Sequence, residues 1–513
     1  MLTRGMSEHP KMACGVFAAI DFDKHPVFPL LYWGIRSQNH RGHQSHGFLT
    51  YDGEFHVHKA LNLVPKIEKS EVEKWLAKLP GYIGVANVRY TTSGKTDHES
   101  LQKGTQPVKA EKDDLKLAVS FNGNVVNTRH LLKEIREVFP DFYYKCDAEL
   151  ICRKLLIELL KERDLASAVK KCMEEIEGAF SVSGITGDGK FFAFKDPYGI
   201  RPLCAGHSEN GKIYVFSSET VGLDINGLTL DFELEPGELV LVSEDGFKRE
   251  KLVENGRAFC AFEFAYFARP DSRFDDKFVY EIREEFGRNL ARENPDIVKD
   301  ADIIVSMPET GNDAAYGLHE ETGLRWERAT RRHRFVTERA FILLPHERYR
   351  TIDKKINILA DKIRGKRVII VDDSIVRGDT TRVVVEKLRK MGAKKVYIFI
   401  TFPRIIGPCF YGIDMATYGE LIGSKHTPEG IAKIVGADAV RYQSIEGFVR
   451  ATGLKREELC LGCITRKYPT RLAQKLADEM YKKFVRGCKE TGRIYEVTNL
   501  GDELAKSLRS SKC

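Results

Sequence analysis

The sequence has no uninterrupted apolar stretch approaching the roughly 20 residues of a membrane-crossing helix, so no membrane span is expected. Its first 13 residues carry Arg4, Glu8, His9 and Lys11 without an apolar core, which excludes an ordinary secretory signal peptide. Internal repeats, low-complexity tracts and long Pro/Ser linkers are also missing, which argues against solenoids and disordered tethers. Charge of one sign is scarce: 81 Lys and Arg stand against 74 Asp and Glu, a net +7 with no dominant basic arm. Nucleic acid is therefore not implied, whereas anionic small molecules suit a mildly positive surface. Eleven cysteines without a secretion signal predict a reducing, cytoplasmic setting, with thiols kept for chemistry or metal. The length, 513 residues, predicts two or three domains with ample core.

The most informative stretch runs from Lys366 to Thr381. A β-branched run, Val368 to Val371, ends in Asp372 and Asp373, and a short loop with Ser374, Gly378, Thr380 and Thr381 follows. A helical pattern with Val384, Leu388 and Met391 on one face stops at Gly392, and a second β-branched run, Val396 to Phe402, completes a βαβ unit. Adjacent carboxylates at a strand end repel unless hydroxyl donors or a metal stabilise them. Loop amides and hydroxyls at a helix N-terminus favour a phosphate. A ligand with ribose hydroxyls, a phosphate and a metal-bound polyphosphate fits both halves. A P-loop is rejected: its near misses, Gly184 to Lys190 and Gly206 to Lys212, place Phe191 and Ile213 at the hydroxyl position and read as turns in β structure. The Asp-Asp string resembles the PRPP (phosphoribosylpyrophosphate) motif of type I phosphoribosyltransferases.

The first half reads as β-rich with helical insertions. Strands are expected from Cys14 and at Ile83–Tyr90, Leu117–Phe121, Ala179–Thr186, Lys190–Phe194, Ile213–Ser217 and Glu238–Ser243; helices are expected at Pro26–Ser37, Arg129–Phe139 and Ala148–Arg163. The second half alternates: a helix near Lys277–Glu293, a strand Ile303–Met307, a helix Asn312–Glu321, then the βαβ unit, which predicts a parallel sheet covered by helices.

Several strings in the first half act together: Cys14-Gly-Val-Phe, Asn39-His-Arg-Gly-His-Gln-Ser-His-Gly-Phe, Val88-Arg-Tyr-Thr-Thr-Ser-Gly, Phe121-Asn-Gly-Asn, Cys146-Asp-Ala-Glu-Leu and Asp196-Pro-Tyr-Gly-Ile-Arg-Pro-Leu. In this order they resemble class II glutamine amidotransferase domains with an N-terminal nucleophile. Joined to the PRPP string, to Cys260-Ala-Phe-Glu-Phe-Ala-Tyr-Phe, to Pro308-Glu-Thr-Gly and to Tyr411-Gly-Ile-Asp-Met, they resemble the amidophosphoribosyltransferase family, from Cys14 to about Tyr468. The resemblance implies an αββα glutaminase domain joined to a type I phosphoribosyltransferase domain. It divides the chain into a leader 1–13, a glutaminase domain 14–247, a phosphoribosyltransferase domain 248–470 and a helical extension 471–513. It also implies glutamine-dependent conversion of PRPP to 5-phosphoribosylamine, glutamate and pyrophosphate in purine synthesis, purine nucleotide inhibitors and a homo-oligomer. Another class II amidotransferase is disfavoured by the PRPP string. A non-catalytic PRPP sensor is disfavoured by Cys14, Asn122 and Asp147.

The resemblance also assigns roles. Cys14, freed of its leader, would be the nucleophile with its own α-amine as base. Asn122 and Gly123 would form the oxyanion hole. Arg89 would hold the glutamine carboxylate and Asp147 its ammonium. Asp372 and Asp373 would bind ribose hydroxyls and Mg²⁺, with Thr310 as a hydroxyl ligand, and Ser374, Gly378, Thr380 and Thr381 would cradle the 5′-phosphate. Arg334 to Ile356 matches a loop that closes over pyrophosphate, with Arg334, Arg339, Arg348, Arg350, Lys354 and Lys355. Cys460-Leu-Gly-Cys463 alone suggests zinc or redox chemistry. With Cys260 and Cys409 it matches the iron–sulfur subgroup of the family, which implies a [4Fe–4S] cluster with zinc as the alternative. Cys152, Cys172, Cys204, Cys488 and Cys513 are expected as ordinary thiols. Four departures from the family pattern are Phe121, where histidine is usual; Asp379 in the phosphate loop, expected to face solvent; one extra residue in Val336-Thr-Glu-Arg-Ala-Phe-Ile; and His43-Gln44-Ser45-His46 after His-Arg-Gly.

Overall fold

A computed structural model describes residues 14–90, 98–332 and 356–488. The expected leader, Thr91 to Gly94, the basic loop residues Arg334 to Lys355 and Cys513 lie outside the described residues.

The first half forms two stacked antiparallel sheets. In the seven-stranded sheet the spatial order is Thr229–Glu233, Cys204–His207, Ile213–Ser217, Gly15–Asp21, Ile83–Arg89, Ser45–Tyr51 and Phe55–Leu61. The six-stranded sheet runs Gly246–Lys251, Glu238–Ser243, Phe191–Lys195, Gly178–Thr186, Leu115–Val125 and Val108–Lys112. Strand periodicity decides which face each residue serves. Along the first strand Ala18 and Ile20 point between the sheets and meet Ala118, Ile185, Phe191 and Val240. Phe17 and Ala19 point outward against the helix Phe28–Ser37. The outer face of the second sheet packs on the helices Thr128–Val138, Asp147–Glu162 and Leu165–Glu175. The result is the expected αββα arrangement, with Cys14 just before a central strand.

The strands Ser45–Tyr51 and Phe55–Leu61 were not foreseen. The first is wholly buried yet holds Ser45, His46, Gly47 and Thr50, and the second carries His56, His58 and Lys59, so neither shows an apolar run. Gly246–Lys251 pairs along its full length with Glu238–Ser243, so the expected domain edge at residue 247 falls inside a strand.

The second half is built on a parallel sheet in the order Arg325–Trp326, Ile303–Ser306, Arg367–Asp372, Lys395–Ile400 and Ala439–Tyr442. One face packs on the helices Asp379–Lys390 and Pro428–Val435, the other on Val279–Glu293 and Asn312–Thr322. A further core joins the halves: Val126, Ala179 and Ile200 of the first pack with Phe259, Phe262, Phe410, Tyr411 and the helix Arg471–Val485 of the second. No helix among the described residues is long and apolar enough to cross a membrane. Cys152, Cys172 and Cys204 are buried free thiols as expected, but Cys488 is disulfide-bonded. It lies past the end of the last described helix, outside the packed cores that keep the other three apart.

Candidate active sites

Cys14 is buried, and its sulfur lies 4.0 Å from the Tyr90 carbonyl and 3.9 Å from the Gln106 side-chain nitrogen. Burial pushes the thiol pKa up, and the Arg89, Arg41 and Arg201 guanidiniums oppose that shift. The strand Leu115–Val125 carries Asn122 and Gly123. Asn122 is fully buried, and among the described residues neither polar atom of its amide has a hydrogen-bond partner. Such an orphan costs about 1–3 kcal/mol unless a ligand supplies the partner. Gly123 sits at φ +155°, and a Cβ there would meet the Ala179 carbonyl oxygen at 1.8 Å, so only glycine fits. Asp147 opens its helix buried; its carboxylate accepts hydrogen bonds from the Val125 amide at 3.0 Å and the Tyr144 hydroxyl at 2.5 Å. Arg89, also buried, ends the strand beside the first strand.

Residues without an expected role surround this site. Arg41 donates from Nε to the Cys14 carbonyl at 3.1 Å. Its other nitrogens reach Glu219 at 2.5 Å and Glu263 at 2.9 and 2.7 Å. Arg201 donates to Glu263 at 3.0 Å and to the Tyr411 carbonyl at 2.8 and 2.6 Å, and approaches the Cys260 sulfur at 3.9 Å. All four charged side chains are fully buried. Burial would raise the Glu219 carboxyl, but His40 and Arg41 hold it well below the usual carboxylate range. The network joins the halves, as does the Asn124 amide, which donates to the Phe410 carbonyl at 3.2 Å. These residues lie within or near the quoted strings, but no local signal pairs Arg41 with a carboxylate more than 200 residues away.

In the second half, Asp372 ends the central strand of the parallel sheet and Asp373 follows it, where ligands of such sheets collect. The Asp373 carboxylate accepts from Thr310 Oγ1 and from Ser374 Oγ, both at 2.5 Å, and Asp372 Oδ1 accepts from the Asp373 amide at 2.9 Å. Burial and the neighbouring Asp373 charge hold the Asp372 carboxyl well above its ordinary value. Gly378, at φ +90°, turns the chain into the helix Asp379–Lys390, whose first turn buries Thr380 and Thr381. Asp379 is exposed and sits 3.7 Å from Arg382, as its expected solvent position requires.

The four cysteines also come together. Phe259–Cys260 and Leu459–Cys460 pair as parallel strands with Cys260 opposite Cys460. The Cys463 carbonyl accepts from the Ile406 amide, and the Cys409 sulfur from the Tyr411 amide at 3.3 Å. Burial and then the neighbouring Cys409, Cys460 and Cys260 push the Cys463 thiol well up; Cys260 is pushed up to about 11.

The two halves thus carry separate candidate sites, one with the buried Cys14 and Asn122 and one at the Asp372–Asp373 end of the parallel sheet. A glutamine amidotransferase domain family matches residues 95–224. The amidophosphoribosyltransferase of Methanocaldococcus jannaschii is 37% identical over 474 residues, covering 89% of this chain and 98% of the relative. That of Bacillus subtilis is 34% identical, covering 92% and 96%. The solved B. subtilis glutamine PRPP amidotransferase complexed with ADP and GMP matches with a TM-score of 0.79 at 33% identity, over 90% of this chain and 98% of that one. The chain belongs to the amidophosphoribosyltransferase family, enzymes that carry out glutamine-dependent amidotransfer to PRPP at the first step of purine biosynthesis.

Proposed function

We propose that Cys14 and the Asp372–Asp373 pair divide this reaction between two sites, and the observation that carries the reading is the orphaned amide of Asn122. Once a leader of residues 1–13 is removed, the α-amine of Cys14 takes the thiol proton, and the thiolate attacks the side-chain carbonyl of glutamine. The tetrahedral oxyanion is met by the Asn122 side chain and the Gly123 amide. Arg89 holds the substrate carboxylate and Asp147 its ammonium. Ammonia leaves, and water releases glutamate from the thioester.

At the second site Asp372 and Asp373 take the ribose hydroxyls, while Ser374, Gly378, Thr380 and Thr381 meet the 5′-phosphate at a helix N-terminus. Ammonia forms the bond to C1 as the bond to pyrophosphate breaks. The oxygen-only donor set of Asp372, Asp373 and Thr310 suits Mg²⁺, a hard cation, and bound magnesium would neutralise charge on the departing pyrophosphate.

Cys260, Cys409, Cys460 and Cys463 suit a [4Fe–4S] cluster, which would place the chain in the iron–sulfur subgroup. The pairing of Cys260 opposite Cys460 and the closeness of Cys409 and Cys463 to both give the soft, four-thiolate donor set that such a cluster requires. Its role would be structural, tying the C-terminal helix to the core. The glutaminase domain is best drawn as 14–251, keeping the last strand with its sheet, followed by 252–470 and 471–513. A cytoplasmic homo-oligomer inhibited by purine nucleotides completes the reading.

Paired variants test it. Cys14→Ala should abolish glutamine-dependent synthesis of phosphoribosylamine and leave ammonia-dependent synthesis intact. Asp372→Asn with Asp373→Asn should abolish both. Full glutamine activity in the first, or near-parent turnover in the second, would sink the assignment.

A further inference from the structure

Gln106 has no role in the chemistry above, yet it touches two parts of the glutaminase site. It is 2% exposed. Its Oε1 accepts from the Phe121 amide at 2.8 Å, and its Nε2 donates to the Phe121 carbonyl at 3.1 Å. The same Nε2 lies 3.9 Å from the Cys14 sulfur. Phe121 immediately precedes Asn122, so the side-chain amide clasps the backbone of the residue before the oxyanion amide while facing the nucleophile. The clasp also settles which way the amide points. The Phe121 N–H is a donor and requires Oε1, so the NH₂ group must face the carbonyl and the sulfur. A backbone contact protects the arrangement: a Cβ on Gly47 would stand 2.2 Å from the Gln106 carbonyl oxygen.

We propose that Gln106 is a positioning residue of the glutaminase half-reaction, holding the Cys14 sulfur in register with Asn122 through its grip on Phe121. The proposal rests on the reading of Cys14 as nucleophile. The amide neither gains nor loses a proton. One Nε2 hydrogen satisfies Phe121 and the other is left for sulfur, where it is worth more to a thiolate than to a thiol because hydrogen bonds to charged groups are the stronger ones. The same contact limits the rotation of the Cys14 side chain while the sulfur approaches the substrate carbonyl, a step in which small misplacements cost about 100-fold.

The test uses the mature enzyme. Gln106→Met keeps the side-chain volume and removes the donor. Gln106→Glu keeps an acceptor for the Phe121 N–H and sets an anion against the sulfur. In Gln106→Met, glutamine-dependent kcat should fall about 10- to 100-fold, as loss of one or two such hydrogen bonds implies, with little change in the KM for glutamine. Ammonia-dependent synthesis should stay at the parent rate in both variants. The pH profile of Cys14 alkylation by iodoacetamide, followed by intact mass, should move to higher pH in Gln106→Met and further in Gln106→Glu. An unchanged alkylation profile in either variant overturns the proposal. So does an equal loss of the glutamine and ammonia activities, which marks a purely structural residue. If Gln106→Met does not fold, Gln106→Glu decides alone, since it preserves the Phe121 N–H bond. Retention of glutaminase activity by Cys14→Ala would instead remove the nucleophile reading, and is a distinguishable outcome.

Discussion

Replacing Glu263 by glutamine should unbalance the buried charges that join the two halves. Arg41 and Arg201 carry two positive charges, and Glu219 and Glu263 two negative ones, all fully buried. Glu263 alone accepts from both arginines. The glutamine variant keeps the shape, leaves one positive charge unmatched, and turns an amide NH₂ toward a guanidinium. Removing one partner of a buried ion pair costs about 3–5 kcal/mol, because the charge left behind is uncompensated. With a urea dependence of about 3 kcal/mol per molar, the unfolding midpoint should drop by about 1–1.7 M. The exposed pair Arg163–Asp114 serves as a control: Asp114→Asn should leave the midpoint near that of the parent. The assay is urea unfolding followed by far-UV circular dichroism, with both activities measured at low urea. Because Arg41 also holds the Cys14 carbonyl, glutamine-dependent turnover should suffer more than ammonia-dependent turnover. A midpoint for Glu263→Gln no lower than that of Asp114→Asn would refute the reasoning.

Two further outcomes follow from the same geometry. Glu219, held below the usual carboxylate range, contributes stability that is present above the unfolded value of about 4.3 and lost as pH falls toward the folded value. Glu219→Gln should therefore be less stable than the parent at pH 7 and converge on it as pH falls below about 4; a deficit constant from pH 7 to pH 3 in thermal melts would contradict this. Anaerobically purified protein should be brown with about four irons and four sulfides per chain, and Cys460→Ser should lose the colour and fold poorly because metal-binding energy is also folding energy; one tightly bound zinc on a colourless protein would refute the cluster.

Much of the second site was legible in sequence because its determinants are local. A β-branched run ending in Asp372 and Asp373, followed by hydroxyls and Gly378, builds strand, turn and helix from consecutive residues. The stacked sheets were legible wherever apolar runs were strong, as at Gly178–Thr186. They were not at Ser45–Tyr51, where burial between neighbouring strands overrides a polar, glycine-containing string. Asn122 and Gly123 could be picked out as a pair, but that the amide of Asn122 lacks a partner among the described residues is a property of its surroundings.

What only the tertiary structure decided is which distant groups meet. Arg41 finds Glu263 222 residues along the chain, Arg201 finds Tyr411 210 residues along, and Gln106 reaches back 92 residues to Cys14. The physical reason is that a buried charge or amide is satisfied by whichever partner the packed cores bring within about 3 Å, and sequence spacing carries no record of that distance. The local strings therefore determined the chemistry each half contains. The packing of sheet on sheet, and of one half on the other, decided how Cys14 is held and what connects it to the second half.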